Sequence, residues 1–264
     1  QLRWKKERNQ SLWNLEFPFS YREGQRKLVS SVYHAIGVNR QIFIQAPTGV
    51  GKTMSTIFPA VRAVGEGKGE TIFYLTAKTI TRTVAQEAFE VLREKGMKYK
   101  VVTITAKEKL CFMDETKCDP GYCPYARGHF DRVNDAVYEL WTTKSRYDRE
   151  TIQEQARKWQ VCPFEMCLDL AVWVDAVICD YNYVFDPTVH LKRFFGEGAG
   201  GDYIFLIDEA HNLAERGREM YSASLYREDV LLVRRAMKER APRIYRSLGK
   251  LNNQLKELQE ECEN

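Results

Sequence analysis

The sequence predicts an α/β fold in which a parallel sheet carries helices on its faces. Short apolar runs alternate along the chain with segments whose apolar residues recur at helical spacing, and one of these runs leads into a glycine-rich loop. The composition agrees, because 44% hydrophobic and 29% charged residues are typical of a globular protein. With 264 residues, the chain is long enough for one large domain or two small ones.

The alternation is regular through the first hundred residues. The predicted elements are a helix over 24–36, a strand over 42–46, a helix over 52–64, a strand over 71–76, a helix over 84–92 and a strand over 100–105. Gly65 and Gly67 end the second of these helices and Gly96 ends the third, as glycine often does at a helix C-terminus. Strands and helices in this order are typical of a parallel sheet.

The pattern changes at Lys107 and resumes at Pro163. Residues 107–162 contain four cysteines and too few apolar residues for further sheet core, which indicates an insertion. Beyond it, the sequence predicts a helix over 163–174, a strand over 176–180, a glycine-rich loop over 196–201, a strand over 203–207, and two helices after Tyr226 with Pro242 between them. The expected division is therefore 1–106 and 163–222 as the sheet domain, 107–162 as the insertion, and 223–264 as a helical segment.

The sequence argues against a membrane-spanning or a secreted protein. The best apolar stretch, 171–179, is short and interrupted by Asp175, and charges stand where a signal peptide requires an apolar core. The seven cysteines are therefore expected as thiols or metal ligands. The missing initiator methionine and the charged C-terminal helical pattern indicate a piece of a longer polypeptide. A net charge of +4 permits a polyanionic partner without implying one.

Residues 46–53 fit the Walker A phosphate-binding pattern, with alanine at its first glycine. Such a loop turns backbone N–H groups toward a phosphate, and the following helix points its N-terminus at the anion. In this pattern Lys52 contacts the β- and γ-phosphates, and the Thr53 hydroxyl binds Mg²⁺. The predicted nucleotide-binding residues of the loop are Thr48, Gly49, Val50, Gly51, Lys52 and Thr53. A glycine turn before a helix, with Lys52 in solvent, is the alternative.

An acidic motif follows the last predicted strand. The apolar run 203–207 ends at Asp208-Glu209-Ala210-His211, which places Asp208 at the carboxyl edge of the sheet, where it can hold Mg²⁺ opposite Thr53. Glu209 is then the candidate general base that polarises the attacking water. The alternative is an acidic helix start, which the helix dipole also favours. Together, the two motifs predict ATP hydrolysis.

Four cysteines form a further candidate site. They are Cys111, Cys118, Cys123 and Cys162. Clustered thiolates bind soft metals or iron–sulfur clusters. Two pairs share a Cys-x4-Cys spacing, at 118–123 and 162–167, which would suit zinc. Cys167, however, continues the apolar stripe of the helix that begins at Pro163, so core packing is favoured for Cys167 and Cys111 becomes the fourth ligand. Unligated thiols are the remaining alternative.

Taken together, these residues resemble the XPD/DinG family of iron–sulfur DNA helicases from Tyr21 to about Leu225. The resemblance rests on the Gly-Lys-Thr loop, the Asp-Glu-Ala-His box followed by Asn212, Lys109-Leu110-Cys111, Cys162-Pro163-Phe164, and the stretch from Asp180-Tyr181-Asn182-Tyr183 to Asp186-Pro187. It implies a RecA-like P-loop motor domain, an inserted cluster domain over 107–162 and the start of a helical arch domain from 223. It also implies that the four candidate cysteines hold a [4Fe–4S] cluster.

The resemblance assigns further residues by position. Gln25 matches the glutamine that recognises adenine, although it could be a surface polar residue. Lys78 and Thr79 match a motif that holds the phosphates of single-stranded DNA, and Thr79 could at the same time cap a helix. His211 matches the residue that couples the nucleotide to the DNA surface, with a packed cap as the alternative. Leu168 and Asp169 stand where a basic residue would be expected, which puts a DNA contact from that helix in doubt.

The implied function is an ATP-dependent DNA helicase of 5′-to-3′ polarity that acts on single-stranded DNA and duplex junctions. The family's second motor domain has no counterpart in this sequence, so the chain alone is not expected to unwind duplex. The alternatives are a DEAH-box RNA helicase with a zinc insertion and a nucleotide-gated DNA-binding scaffold that does not translocate. The expected location is the cytoplasm at a bacterial nucleoid, or the nucleus in a eukaryote.

Overall fold

A computed structural model describes residues 1–47 and 49–263, with the side chain of Glu263 left out of the description. The strands are β1 (Thr71–Leu75), β2 (Val101–Thr103), β3 (Arg146–Tyr147), β4 (Ala176–Cys179) and β5 (Tyr203–Ile207). The helices are α1 (Leu2–Trp13), α2 (Gln25–Gly37), α3 (Lys52–Gly65), α4 (Thr79–Glu94), α5 (Lys107–Leu110), α6 (His129–Thr143), α7 (Arg149–Trp159), α8 (Pro163–Ala171), α9 (Asn182–Phe185), α10 (Lys192–Phe195), α11 (Leu213–Met220), α12 (Arg227–Met237) and α13 (Pro242–Glu263), with a 3₁₀ turn over Ala210–Asn212.

The strands form one sheet in the order β3-β2-β4-β1-β5, and every pairing is parallel. The α/β class with a parallel sheet is therefore confirmed. β4 is buried at every position, as expected of an inner strand that is covered on both faces. Helix α4 turns Ala85, Ala88, Phe89 and Leu92 into the core at helical spacing.

The predicted strand over 42–46 is wrong. Residues 41–47 have no regular secondary structure, and the side chains of Ile42, Phe43 and Ile44 are 42%, 89% and 39% exposed. A strand needs a neighbour that accepts and donates its ladder hydrogen bonds. Both sides of β1 are already taken by β4 and β5, and the apolar run pairs with neither edge of the sheet.

The segment 107–162 also contributes to the sheet, contrary to the expectation that it adds no sheet core. Its short strand β3 pairs in parallel with β2, where Val102 aligns with Tyr147. Tyr147 is fully buried, so one aromatic residue is enough to extend the sheet in a segment of low apolar content. The segment also contains the helices α5, α6 and α7.

Helix α1, which the sequence patterns did not predict, is anchored by buried polar contacts. Arg8 forms an ion pair with Asp175 at 2.7 Å, and both side chains are 5% exposed. The same carboxylate accepts from Trp4 Nε1 at 3.1 Å and from the Lys100 backbone N–H at 2.8 Å. The Lys100 ammonium lies 4.4 Å from the Trp4 ring centroid and 4.6 Å from that of Trp141. We call the set of Arg8, Asp175, Trp4 and Lys100 the Asp175 node.

The chain divides into two compact units, residues 1–214 and 215–264. The second unit contains α12 and α13, which are joined by Arg227 Nε to Asn252 Oδ1 at 2.9 Å and by Arg234 lying over the Tyr245 ring. The finer division at residues 106, 162 and 222 stays a prediction. Among the described residues, no helix has both the length and the apolar character required to cross a membrane.

Candidate nucleotide and metal sites

The candidate residues gather at one edge of the sheet. β1, β4 and β5 run in parallel, so the residues that follow each of them emerge at the same carboxyl edge. These residues include Thr76 after β1, Asp180 after β4 and Asp208 after β5. The carboxyl edge is where open parallel sheets bind their ligands.

The glycine loop before α3 is held by two residues from the start of α2 and its preceding turn. Gly49 and Gly51 have φ of 85° and 77°, a conformation that glycine adopts without strain. Arg22 donates to the Gly49 carbonyl, and Gln25 Nε2 donates to the Val50 carbonyl at 3.0 Å. A Cβ atom on Gly51 would lie 2.8 Å from Gln25 Nε2. A residue larger than glycine would therefore fit at this position only if the Gln25 side chain moved.

Gln25 is not a surface residue, contrary to the alternative left open by the sequence. It is 4% exposed, and its Oε1 accepts from the Arg22 backbone N–H at 3.0 Å. Both ends of its amide are thus engaged on protein groups, and its contact to the loop carbonyl positions the loop. Thr48, another predicted loop residue, lies outside the described residues.

Lys52 and Glu209 bring the two motifs together. The Lys52 ammonium lies 3.9 Å from Glu209 Oε1 and donates to the Ala46 carbonyl at 3.3 Å. Both side chains are partly exposed, at 37% and 38%, so this site is open to a ligand from solvent. A cation and a carboxylate that are more than 150 residues apart in sequence, Lys52 and Glu209, therefore lie side by side.

Asp208 and Thr53 both act on Tyr74, a residue of β1 to which no sequence motif assigned a role. The Tyr74 hydroxyl interacts with both the Asp208 carboxylate and Thr53. Burial and the neighbouring Glu209 raise the pKa of Asp208, while Lys52 opposes the shift. Burial raises the pKa of Tyr74 far above its ordinary value, so this phenol stays protonated and can donate to the carboxylate.

Tyr181 fixes the backbone at the acidic pair. Its side chain is fully buried, and its single hydroxyl proton is shared between the Asp208 carbonyl and the Glu209 carbonyl, the latter 3.3 Å from the hydroxyl oxygen. Burial, together with the charge of Asp208, raises the pKa of Tyr181 to about 12. Glu209 itself has φ of 51°, an uncommon conformation for a residue with a Cβ atom. The sequence analysis singled out the stretch 180–183 that contains Tyr181, but it predicted no role for this residue.

The predicted coupling and DNA-binding residues are exposed at this edge. His211 Nδ1 lies 3.4 Å from Glu209 Oε2 with 71% of its side chain exposed, so it is not the packed cap of the alternative. Lys78 and Thr79 are exposed at the start of α4. The N-cap is Lys78 and no side chain caps this helix, which makes the expected cap by Thr79 wrong. In the first turn of α4, Arg82 pairs with Asp180 at 3.3 Å.

The predicted cysteine ligands differ in their exposure. Cys111 follows α5, Cys118 is exposed, Cys123 is buried, and Cys162 is the N-cap of α8. The Lys107 ammonium interacts with Cys118, which raises the pKa of Lys107, and the charge of Cys162 acts in the same direction. In 1–47 and 49–263, no three histidine, cysteine or acidic side chains are arranged to hold a metal ion.

Cys167 and Cys179 lie in the core. Both are fully buried, Cys167 on the inner face of α8 and Cys179 at the end of β4. Burial raises the pKa of Cys167 to about 12, so its thiol stays protonated at neutral pH. The sequence prediction that Cys167 packs in the core is confirmed.

Two family models together match residues 22–230 of this chain, and relatives match it over different shares of its length. The DEAD_2 model matches residues 93–230, and the DEAD/DEAH box helicase model matches residues 22–118. The ATP-dependent DNA helicase XPD of Sulfolobus acidocaldarius is 22% identical over 90% of this chain and 40% of its own length. The Fanconi anemia group J protein homolog of Gallus gallus is 30% identical over 39% of this chain and 8% of its own length.

The fold is similar to that of a solved structure described as truncated XPD. The two share 20% sequence identity with a TM-score of 0.59, over 88% of this chain and 65% of the solved one. The observed fold therefore has a counterpart among solved structures. The chain spans only 40% of the length of the Sulfolobus relative and 8% of that of the Gallus relative.

Proposed function

The chain belongs to the DEAD_2 family, and from this premise we propose that it is the first motor domain of an ATP-dependent DNA helicase. ATP hydrolysis would drive translocation on single-stranded DNA, with the 5′-to-3′ polarity implied by the resemblance. The observation that carries the proposal is the approach of Lys52 to Glu209, at 3.9 Å, at the carboxyl edge of the sheet. One motif supplies a cation for phosphate and the other a carboxylate for water, which is the pairing that P-loop hydrolysis needs.

In this proposal, the residues at the carboxyl edge of the sheet have different roles in ATP hydrolysis. Backbone N–H groups at Gly49, Val50 and Gly51, with Lys52, would bind the phosphates of ATP. Glu209 would accept the proton of the attacking water, and the Tyr181 hydroxyl bonds would hold its backbone in place. The hydroxyl of Thr53 and the carboxylate of Asp208 suit Mg²⁺, because both are oxygen ligands. A bound Mg²⁺ would neutralise phosphate charge.

Nucleic-acid contact belongs to the neighbouring surface in this proposal. Lys78 and Thr79 are exposed at the N-terminus of α4, whose backbone N–H groups favour an anion. A phosphate of single-stranded DNA bound there would be held without base recognition. His211, which is close to Glu209, would couple the occupancy of the nucleotide site to this surface. A second motor domain of the same polypeptide would complete the nucleotide site. The protein would act on DNA at a bacterial nucleoid or in a eukaryotic nucleus.

A [4Fe–4S] cluster on Cys111, Cys118, Cys123 and Cys162 is part of the proposal. The donor chemistry fits, because four thiols match the ligands of such clusters. Cys162 interacts with the backbone N–H groups of Phe164 and Glu165, which stabilise a thiolate, although burial raises its pKa. When bound, the group would add its binding free energy to the folding of 107–162.

The catalytic assignment predicts that Glu209→Gln lowers ATP turnover by ~10²-fold or more while nucleotide affinity is kept. The substitution removes the proton acceptor but not the shape of the side chain. Steady-state ATPase assays of the full-length protein, with and without single-stranded DNA, measure the effect. Glu87→Gln on the exposed face of α4 is the matched control and should keep wild-type turnover. Loss of nucleotide binding in Glu209→Gln would make Glu209 a structural residue, and absence of ATPase activity in the wild type would refute the function.

The ligand assignment predicts opposite outcomes for two cysteines. Cys111→Ser should lower iron per chain and loosen the insertion, because ligand binding also stabilises the fold there. Cys167→Ala should keep the iron and lose only packing, about 1 kcal/mol for a small buried side chain. Iron and sulfide analysis of protein purified without oxygen, with urea unfolding, distinguishes them. Iron lost with Cys167→Ala and kept with Cys111→Ser would favour the zinc-like pairing of 118–123 with 162–167.

A further inference from the structure

His129 is a buried histidine between two of the segments that carry candidate ligands. It is the first residue of α6 and is 4% exposed. Its Nδ1 accepts a hydrogen bond from the Cys162 backbone N–H at 3.2 Å. A nitrogen that accepts carries no proton, so the neutral ring holds its proton on Nε2.

The second ring nitrogen of His129 is buried without a partner. Among the residues that the structure describes, no group accepts a hydrogen bond from Nε2. Buried polar atoms are nearly always paired, and an exception calls for an explanation. No sequence motif assigned this residue a role.

The first turn of α6 forms hydrogen bonds both to the turn that follows Cys123 and to the backbone that precedes Cys162. Toward the N-terminus, the Cys123 carbonyl accepts from the Ala126 N–H, and the Ala126 carbonyl accepts from the His129 N–H. Toward Cys162, Arg132 donates to the carbonyls of Trp159 and Gln160 at 2.9 and 2.6 Å. His129 therefore stands where the turn after Cys123 meets the backbone that leads into Cys162.

We propose that His129 is a positioning residue for the iron–sulfur group, with Nδ1 fixing the backbone of Cys162 and Nε2–H donating a hydrogen bond to a sulfur of that group. The inference rests on the proposed function, because it needs a cluster on the candidate cysteines. Hydrogen bonds to sulfur stabilise the more negative, reduced cluster and so raise its reduction potential. Residues that orient ligands in this way influence both occupancy and potential at metal sites.

Two substitutions separate the roles of the two nitrogens. In His129→Asn, the amide oxygen can still accept near the position of Nδ1, but nothing reaches the position of Nε2. In His129→Gln, the longer side chain reaches toward that position with an N–H donor. His34→Asn, on the exposed side of α2, is the matched control.

The test is voltammetry of full-length protein purified without oxygen, with iron and sulfide per chain and circular dichroism measured in parallel. We expect His129→Asn to keep its iron and show a lower reduction potential, His129→Gln to recover part of the shift, and His34→Asn to match the wild type. An unchanged potential in His129→Asn, or an equal drop in both His129 variants, would overturn the donor role. Iron-free wild-type protein would overturn the proposed cluster and this inference together.

Discussion

Replacing Lys52 by alanine is expected to abolish ATP hydrolysis and to leave the fold intact. Lys52 begins α3, and its ammonium contacts the Ala46 carbonyl and Glu209 rather than the core. The ion pair with Glu209 is long and partly exposed, so losing it should cost the fold at most about 1 kcal/mol. The phosphate contact has no substitute in the loop, because Lys52 is the single cationic side chain of residues 46–53.

The measurement compares DNA-stimulated ATP turnover with the thermal unfolding midpoint in the same preparations. Lys27→Ala removes an equal charge from the exposed side of α2 and should retain both properties. Wild-type turnover in Lys52→Ala would refute the phosphate-binding loop. A large drop in the unfolding midpoint would instead show that Lys52 supports the fold, and the loss of activity would then have another cause.

Removing Arg8 from the Asp175 node is expected to destabilise the first unit by about 3–5 kcal/mol, because it leaves a buried carboxylate without its cation. Arg8→Met keeps much of the apolar stem of the side chain and removes the guanidinium. Burial raises the pKa of Asp175 and the Arg8 charge opposes that rise, so losing the arginine further favours a protonated carboxyl. The backbone donor at Lys100 and the Trp4 indole remain as partners.

Lys5→Met is the matched control on the same helix. Lys5 pairs with Glu70 at 3.0 Å on the surface, where the side chains are 39% and 55% exposed. Such a pair contributes at most about 1 kcal/mol, since solvent and salt screen it. Urea unfolding followed by tryptophan fluorescence reports both variants. Equal losses of unfolding free energy in Arg8→Met and Lys5→Met would contradict the buried role of Arg8.

Apolar patterning predicted most of the fold, and it failed where a different interaction decided the structure. The strand 203–207 appears as predicted, and the helix predicted over 163–174 forms over Pro163–Ala171. Both carry buried apolar residues at the spacing of their element, which is the signal that patterning detects. The run 42–46 has the same apolar character, but strand formation also needs a pairing edge, which local sequence does not specify. Helix α1 was missed because its anchor, Arg8, is a charged residue whose partner lies 167 positions away.

The candidate site was predictable where its chemistry is encoded in contiguous motifs. The glycine loop and the acidic box each encode a chemistry in consecutive residues, and the acidic box also marks the end of a strand, β5. The strand predicted before the glycine loop is absent, so the parallel sheet alone does not account for the approach of the loop to the box. Tyr74 and Tyr181 could not be predicted in the same way, because their roles depend on which strands are neighbours. A tyrosine in a strand is also a common core residue, so its hydroxyl gives no signal until its partner is known.

The length of chain between Arg8 and Asp175 bears on how this unit is made by a ribosome. α1 emerges well before its partner, because the carboxylate that Arg8 binds is 167 residues further along the chain. At ~5–20 residues per second, that interval lasts roughly 8–33 s. Throughout this time the Trp4 and Arg8 side chains lack their Asp175 partner, and α1 alone, at 12 residues, is too short to be stable in water. Helix α1 is thus among the last parts of the nascent unit to dock, although it is synthesised long before the carboxylate that anchors it.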